Sequence, residues 1–537
     1  MSSAVALRGR GDRTWAAARS HLRRAAHWAW GAPLEIALVV ALTAVAARFR
    51  THALGAHFWI DEGISVGISS HPLSQIPGLL RQDGSPPLYY LLLHWWMELF
   101  GRSESSTHAL SAVFAIAAVP AGWWAARPFG REAGLACAAL LAINPFLGLY
   151  ADETRMYSLV LLEALLATGA FVRAFVLRRR PMAIPFALLI ATLLYTHAWG
   201  AFFAGAAGLA WLGLIAAGPD RRGVAIDGAL AFGGAFLLYV PWLPTLAYQA
   251  AHTAAPWSHR PSGASLGRAV RRIWGQELAE VLILLVTGGG LIELLRRGSP
   301  AHRRGALAVL GITALTLVSA WAYSHWGSPA WALRYLVIVL APFAVVAGIG
   351  LGRLPILGVA TVALVFLLAW HAKPSIHTLT HKSNVANVAS ALRRDLPPGT
   401  IVFSTQPEQV PNLHYYLPPG LRYRTPLGPV RDTGVMDWRD AMKRLNAARY
   451  ATAVAPVIRA MRPGDRILLV QPLFSSPDSP WTVRIHHIAR HWGPALRHSS
   501  DLRIIKVVKP YSSSRSPVDG ILLVRTHGGA HAHGGNS

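Results

Sequence analysis

Residues 86–100 read PPLYYLLLHWWMELF, and whether they cross a bilayer decides the architecture of the whole chain. The stretch is apolar enough to suggest a span. It is only about fifteen residues long, carries His94 and Glu98, and is rich in Tyr and Trp, a composition that suits a helix lying in the membrane interface. On that reading residues 50–106 form one large external loop of membrane-hugging helices. Tyr89, Tyr90, Trp95 and Trp96 are then read as an aromatic belt.

Working outward, the composition sets the class. Of 537 residues, 53% are hydrophobic and 14% charged, too little charge for a soluble chain of this length. Apolar segments long enough for roughly 30 Å of hydrocarbon recur through the first two thirds. They fall at 28–47, 108–126, 133–150, 156–177, 182–198, 200–217, 223–242, 279–296, 304–322, 332–350 and 354–371. Arginine clusters sit in alternate connections, at the N-terminus, Arg127/Arg131, Arg178–Arg180, Arg221/Arg222, Arg296/Arg297 with Arg303/Arg304, and Arg353. Placing them all in the cytoplasm requires eleven crossings, with residues after 371 outside. The net charge of +26 is therefore a membrane-topology signal, and nucleic acid is excluded as a partner. The basic N-terminus lacks a small-residue cleavage site and reads as preceding a retained span. The single cysteine, Cys137, excludes an intrachain disulfide and reads as a small core residue.

Past His371 the composition turns polar. Strand patterns at 400–405, 465–472, 502–508 and 520–525 alternate with helical patterns at 384–395 and 437–447, which predicts a small α/β domain. The expected fold class is mainly α, a polytopic helical bundle of about 11 spans. Its parts are a cytoplasmic N-terminus (1–27), a membrane domain (28–371), an extracytoplasmic domain (372–525) and a His/Gly-rich disordered tail (526–537). The expected location is the cell membrane.

Two acidic pairs stand at span ends, Asp61-Glu62 in HFWIDEGIS and Asp152-Glu153 in LYADETRMYSL. With eleven crossings both face outward, on the first and second external loops. The third external turn holds His197, and the fifth holds His325, Arg334 and Tyr335. Carboxylates with arginines on one side of a bilayer suit transfer of a polar group from a lipid carrier. A sugar phosphate leaving group needs positive charge, and an acceptor hydroxyl needs a base. The rival class is a transporter or flippase of lipid-linked saccharide, which favours ionisable groups near the midplane and inverted repeats. A membrane-anchored scaffold would leave the acids without a task. Each residue also has a plainer reading. Asp61 could cap a helix, Glu153 and Arg155 could form a local ion pair, His197 could be an interfacial histidine, and Arg334 could snorkel.

The motifs FWIDEGIS, DGSPPLYYLLLHWW, LFGRSESSTHALSAVF, NPFLGLYADETRMYSL, YTHAWG and WALRYLVIVLAPF resemble those of the protein O-mannosyltransferase-like glycosyltransferases (family 39). That family lies in the integral-membrane C-type superfamily that includes aminoarabinose transferases. The resemblance covers most of residues 30–350. It implies that Asp61 is the catalytic base with Glu62 as partner, and that Glu153 with Asp152 positions the acceptor or a divalent metal ion. It also implies that Arg334 with Tyr335 holds the carrier phosphate, aided by Arg155 or His197. Asp83 either orients the loop or approaches the acceptor. Members often carry Gln-Glu-Ala-Arg where this chain has Asp152-Glu153-Thr154-Arg155, and His where it has Ser85. The implied partners are a polyprenyl-phosphate-linked sugar, membrane lipid, and a protein, lipid or polysaccharide acceptor.

Overall fold

Long runs of Leu, Ala, Val and Gly have only one way to satisfy their backbone hydrogen bonds in hydrocarbon, and the apolar segments between residues 31 and 372 are helical. The computed structural model describes residues 31–253, 255–372, 379–474, 477–510 and 516–526. The expected cytoplasmic segment and nearly all of the His/Gly-rich tail lie outside them. Among the described residues, seventeen α-helices lead up to residue 372. They are α1 (Gly31–Arg50), α2 (Ile60–Ser69), α3 (Ile76–Asp83), α4 (Leu88–Phe100), α5 (Glu104–Ala126), α6 (Arg131–Ile143), α7 (Pro145–Ala151), α8 (Tyr157–Phe171) and α9 (Ala183–Thr196). They continue with α10 (Gly200–Ala217), α11 (Arg221–Tyr239), α12 (Leu243–His252), α13 (Ala264–Trp274), α14 (Glu277–Arg297), α15 (Pro300–Trp326), α16 (Val337–Arg353) and α17 (Pro355–Ala372).

Among the described residues, eight helices are long and apolar enough to cross a membrane, and a ninth if the bent pair α6–α7 counts as one span. The bend of 55° falls at Asn144-Pro145. Here Pro removes a backbone donor and the Asn144 side chain caps α7, accepting from Leu147 N at 2.8 Å. Two shorter apolar helices, Arg180–Thr196 and Pro355–His371, occupy the remaining expected segments. Eleven crossings are reached only if the bent pair and both short helices also traverse. The core helices are α8 and α16, each 89% buried over its apolar window. Close packing of α16 uses small residues: a side chain at Gly290 would collide with Gly350 O, the device by which apolar helices associate without a hydrophobic drive between them.

Helix α4 covers residues 88–100 and is not among the apolar spans, in line with a segment that does not cross. Its aromatic residues divide. Trp95 is 57% exposed, whereas Tyr89 and Tyr90 are fully buried, with Tyr89 Oη 3.1 Å from Ser111 Oγ. These two tyrosines are not belt residues. They belong to the packed face of the loop.

The C-terminal domain is a six-stranded mixed sheet in the order β3-β2-β1-β4-β6-β5. Its strands are β1 (Ile401–Ser404), β2 (Arg422–Thr425), β3 (Gly428–Pro429), β4 (Arg466–Pro472), β5 (Leu502–Val508) and β6 (Val518–Arg525). Strand β1 runs parallel to β2 and β4, and its four residues are all buried, as expected for a strand covered on both faces. Helices Val385–Leu392 and Val410–Tyr416 cover one face and Pro480–Arg497 the other. Helix Val410–Tyr416 in turn packs on α2. The approach is close enough that a Cβ on Gly63 would lie 2.8 Å from Asn412 N and Cα. Glycine is the residue that permits it. Tyr416 Oη accepts from Phe58 N at 2.7 Å and donates to Glu104 at 3.0 Å, fixing the same junction.

Candidate active site

The first acidic pair divides its labour. Asp61 and Glu62 are neighbours in the first turn of α2, so their side chains leave the helix about 100° apart. Glu62 turns inward and is fully buried. Its Oε2 accepts from Trp59 N at 3.1 Å, closing the start of the helix, so the cap is made by Glu62 and not by Asp61. Its Oε1 accepts from Thr154 N at 2.9 Å and from His108 Nε2 at 2.5 Å. Lys382 Nζ bonds both oxygens, at 2.9 and 2.8 Å, and also donates to Asp152 O at 2.7 Å. His108 donates through Nδ1 to Leu54 O at 2.6 Å. Burial alone would raise the Glu62 carboxyl, but the charges of Lys382 and His108 outweigh it and hold the group well below the usual carboxylate range. Glu62 is thus a tied-down anion that joins both acidic loops to the C-terminal domain. Its bond to Thr154 places the two acidic pairs on the same side of the bundle.

Asp61 faces the other way. Its side chain is 19% exposed, with Oδ2 3.6 Å from Arg334 Nη2. Among the described residues that oxygen accepts no hydrogen bond. Arg334 is held over the Trp257 ring, 4.8 Å from its centroid, and 5.5 Å from that of Tyr335. A guanidinium paired with a carboxylate and stacked on two rings is not a snorkelling anchor. Arg155 lies beneath, its Nη1 donating to Ser65 Oγ at 3.0 Å, Tyr90 Oη at 3.2 Å and Asp61 O at 3.4 Å.

Asp83, at the end of α3, completes this group. Burial pushes its carboxyl up to about 6 although Ser85 and Arg155 oppose the shift, and the charge of Asp61 adds to it. Asp152 is 2% exposed. Burial raises it to about 7, against the pull of Lys382. Glu153 is fully buried beside it. His197 stacks edge-on against Tyr335 with centroids 4.4 Å apart, and its Nδ1 accepts from Trp199 N at 3.1 Å. Burial, with Arg155 and Arg334 nearby, lowers it to about 3. The ring is neutral with its proton on Nε2, so His197 can offer a hydrogen bond but no positive charge. No three His, Cys, Asp or Glu side chains among the described residues gather as a metal site.

All nine expected site residues thus lie in or beside one cluster at the junction of α2, the end of α3, residues 152–155, the 195–200 turn and the start of α16. Lys382 and His108 were not given roles from sequence. His108 stands within a motif already quoted. Lys382 is a lone cation in the polar run LTHKSN, which carries no signal of its own.

This architecture has counterparts among solved structures at low sequence identity. The chain is similar to ArnT from Cupriavidus metallidurans in the apo state, with a TM-score of 0.60 and 14% identity over 90% of this chain and 97% of that one. The same protein bound to undecaprenyl phosphate gives 0.58 and 12% over the same shares. The archaeal oligosaccharyltransferase AglB from Archaeoglobus fulgidus, in complex with an inhibitory peptide and a dolichol-phosphate, gives 0.50 and 12% over 81% and 69%. No family model and no curated protein matches the sequence.

Proposed function

We propose that this chain is an inverting glycosyltransferase that moves a sugar from a polyprenyl-phosphate carrier to an acceptor hydroxyl at the outer face of the cell membrane. Residues 1–27 would lie in the cytoplasm and 372–525 outside. One observation carries the reading. A largely buried carboxylate oxygen with no hydrogen bond among the described residues, Asp61 Oδ2, stands 3.6 Å from the guanidinium of Arg334, so a base and a cation meet at one point. The structural neighbours solved with undecaprenyl phosphate and dolichol-phosphate support a lipid-phosphate donor on this fold.

The donor phosphate would take Arg334 from Asp61, and the sugar's anomeric carbon would then lie between carboxylate and phosphate. As the acceptor oxygen bonds to that carbon, its proton passes to Asp61 and the carbon–phosphate oxygen bond breaks on the opposite face. The electron pair leaves on the polyprenyl phosphate, whose charge Arg334 stabilises. Arg155, already bonded to three protein oxygens, adds positive potential and positions the Asp61 backbone. Tyr335 orients Arg334, and the neutral His197 supplies an N–H. Glu62, Asp152 and Glu153 hold the two loops in register, and Asp83 lines the acceptor side. The transporter reading gains nothing from this arrangement, because the acids come from segments between spans rather than from mid-span positions.

The test is Asp61→Asn in the full chain, reconstituted with undecaprenyl-phosphate-linked sugars. Turnover should fall by a factor of about a thousand or more, comparable to the loss of a catalytic base together with its electrostatic effect, while undecaprenyl phosphate still binds. Retention of most turnover would remove Asp61 as the base.

A further inference from the structure

The segment after β1, TQPEQVPN (405–412), belongs to the C-terminal domain and runs into helix Val410–Tyr416, which packs against α2, the helix that carries Asp61. Within five of its residues, four buried polar atoms find no hydrogen-bond partner among the described residues. They are Glu408 Oε2, Gln409 Oε1, Gln409 Nε2 and Asn412 Oδ1. Glu408 is 6% exposed and Gln409 and Asn412 fully buried. Buried, unpaired polar atoms are costly and rare, so a cluster of them calls for a partner. The other polar ends of Glu408 and Asn412 are held. Glu408 Oε1 accepts from Trp481 Nε1 at 2.9 Å and Gln406 Nε2 at 2.8 Å, and Asn412 Nδ2 donates to Phe58 O at 3.2 Å.

The loop is also near the proposed chemistry. Burial pushes the Glu408 carboxyl up, and the Asp61 charge acts on it from across the junction. Trp481, which holds Glu408, bonds through its backbone to Pro256 at 3.2 Å and packs on Trp438 at 5.0 Å. Trp438 in turn bonds to Gln82 O at 3.0 Å, next to Asp83.

We propose that Glu408 and Gln409, with Asn412, form the acceptor subsite, and that the acceptor is polyhydroxylated: the hydroxyls of a sugar. The inference rests on the glycosyltransferase reading. A free amide with both a donor and an acceptor, beside acceptor-only oxygens, matches adjacent hydroxyls, each of which donates and accepts. A lone Ser or Thr hydroxyl would leave most of the four atoms unpaired. An anionic acceptor would meet carboxylates, since neither Glu408 nor Asp61 is replaced here by a cation.

Saturation-transfer NMR on the full chain in nanodiscs loaded with undecaprenyl phosphate tests this. The probes are the methyl glycosides of glucose, galactose, mannose and arabinose, with N-acetylthreonine methylamide as the single-hydroxyl control. At least one glycoside should bind, and its affinity should fall about tenfold in Gln409→Met, as for two lost neutral hydrogen bonds. Glu408→Gln should weaken the same glycoside. The melting temperature of Gln409→Met should stay level or rise, because an unpaired buried amide has been replaced by an apolar chain of similar size. Binding of no glycoside, equal binding by Gln409→Met, preference for the threonine control, or a fall in melting temperature in step with binding would each overturn the subsite. A rise in melting temperature with undecaprenyl phosphate is read separately. If it is missing in the wild type, the donor reading fails; if it is present while Gln409→Met binds glycoside normally, only the subsite fails.

Discussion

Replacing Lys382 with Met should loosen the grip of the C-terminal domain on the helix that carries Asp61. Lys382 Nζ bonds both Glu62 oxygens at 2.9 and 2.8 Å and Asp152 O at 2.7 Å, and both side chains of the ion pair are almost fully buried, at 5% and 0% exposure. Removing one partner of a buried pair costs about 3–5 kcal/mol because the other charge is left uncompensated. Here the lower end applies, since His108 still bonds Glu62 at 2.5 Å. The cost falls on the docked state, so it appears as easier local opening. At roughly 1.4 kcal/mol per decade, amides of α2 and of helix Val410–Tyr416 should exchange with deuterium about a hundredfold faster, while β4 in the sheet interior is unchanged. The double variant Lys382→Met/Glu62→Gln removes both charges and should recover most of the protection. Wild-type exchange rates in Lys382→Met, or a double variant no better than the sum of the two singles, would refute the idea that this ion pair holds the domain in place.

Three further outcomes follow from the same geometry. Asp152 is raised to about 7 from an ordinary 3.8, so the folded state favours its protonated form. The stability this contributes is present at low pH and is lost as pH rises through about 7, by at most roughly 4 kcal/mol; Asp152→Asn should flatten the thermal-stability profile between pH 5 and 8, and an unaltered slope would count against it. Gly63→Ala sets a methyl 2.8 Å from the Asn412 backbone and should cost about 1–3 kcal/mol of docking, read by the same exchange experiment. Arg334→Lys keeps the charge but loses the planar fork and its stacking; donor KM should rise roughly ten- to a hundredfold, for about 1.5–3 kcal/mol of charge-assisted hydrogen bonding, with the melting temperature unmoved.

How much of this was legible in the sequence depends on the range of the interaction that fixes each part. Helix α16 is apolar all round and α8 nearly so, with Glu163 its single charge, so composition alone identifies them. Strand β2, RYRT, is four residues with no apolar run, and β3 has two; neither rises above the background of a polar segment, and both form only because β1 is there to pair with. Tyr89 and Tyr90 have the composition of an interfacial belt, and only the packing of α4 on α2 and α5 shows them buried. Asp61, Glu62 and Arg334 were visible because charge at a span end is conspicuous. Their separate duties were not, since a period of 3.6 residues sends adjacent side chains to different surfaces but does not say which surface meets a cation. Lys382 lies 320 positions from Glu62, and nothing local to LTHKSN distinguishes it from any solvated lysine.

The position of Glu62 explains why so many elements converge on one turn of helix. A catalytic carboxylate gains from lacking fixed hydrogen bonds, because donors would lower its basicity and hold its charge away from the substrate. An acid in that condition cannot position itself, and the restraint has to come from a neighbour. Glu62 accepts bonds from α5 through His108, from residues 152–155 through Thr154 and from the C-terminal domain through Lys382, while Gly63, one residue on, admits the Asn412 backbone. Three separate parts of the chain therefore fix the backbone on either side of Asp61 without touching its free oxygen. The unpaired atoms of Glu408 and Gln409 lie on the segment that leads into helix Val410–Tyr416, across the junction from Asp61. On both sides of the junction, the groups left open are those whose partners the substrate would bring.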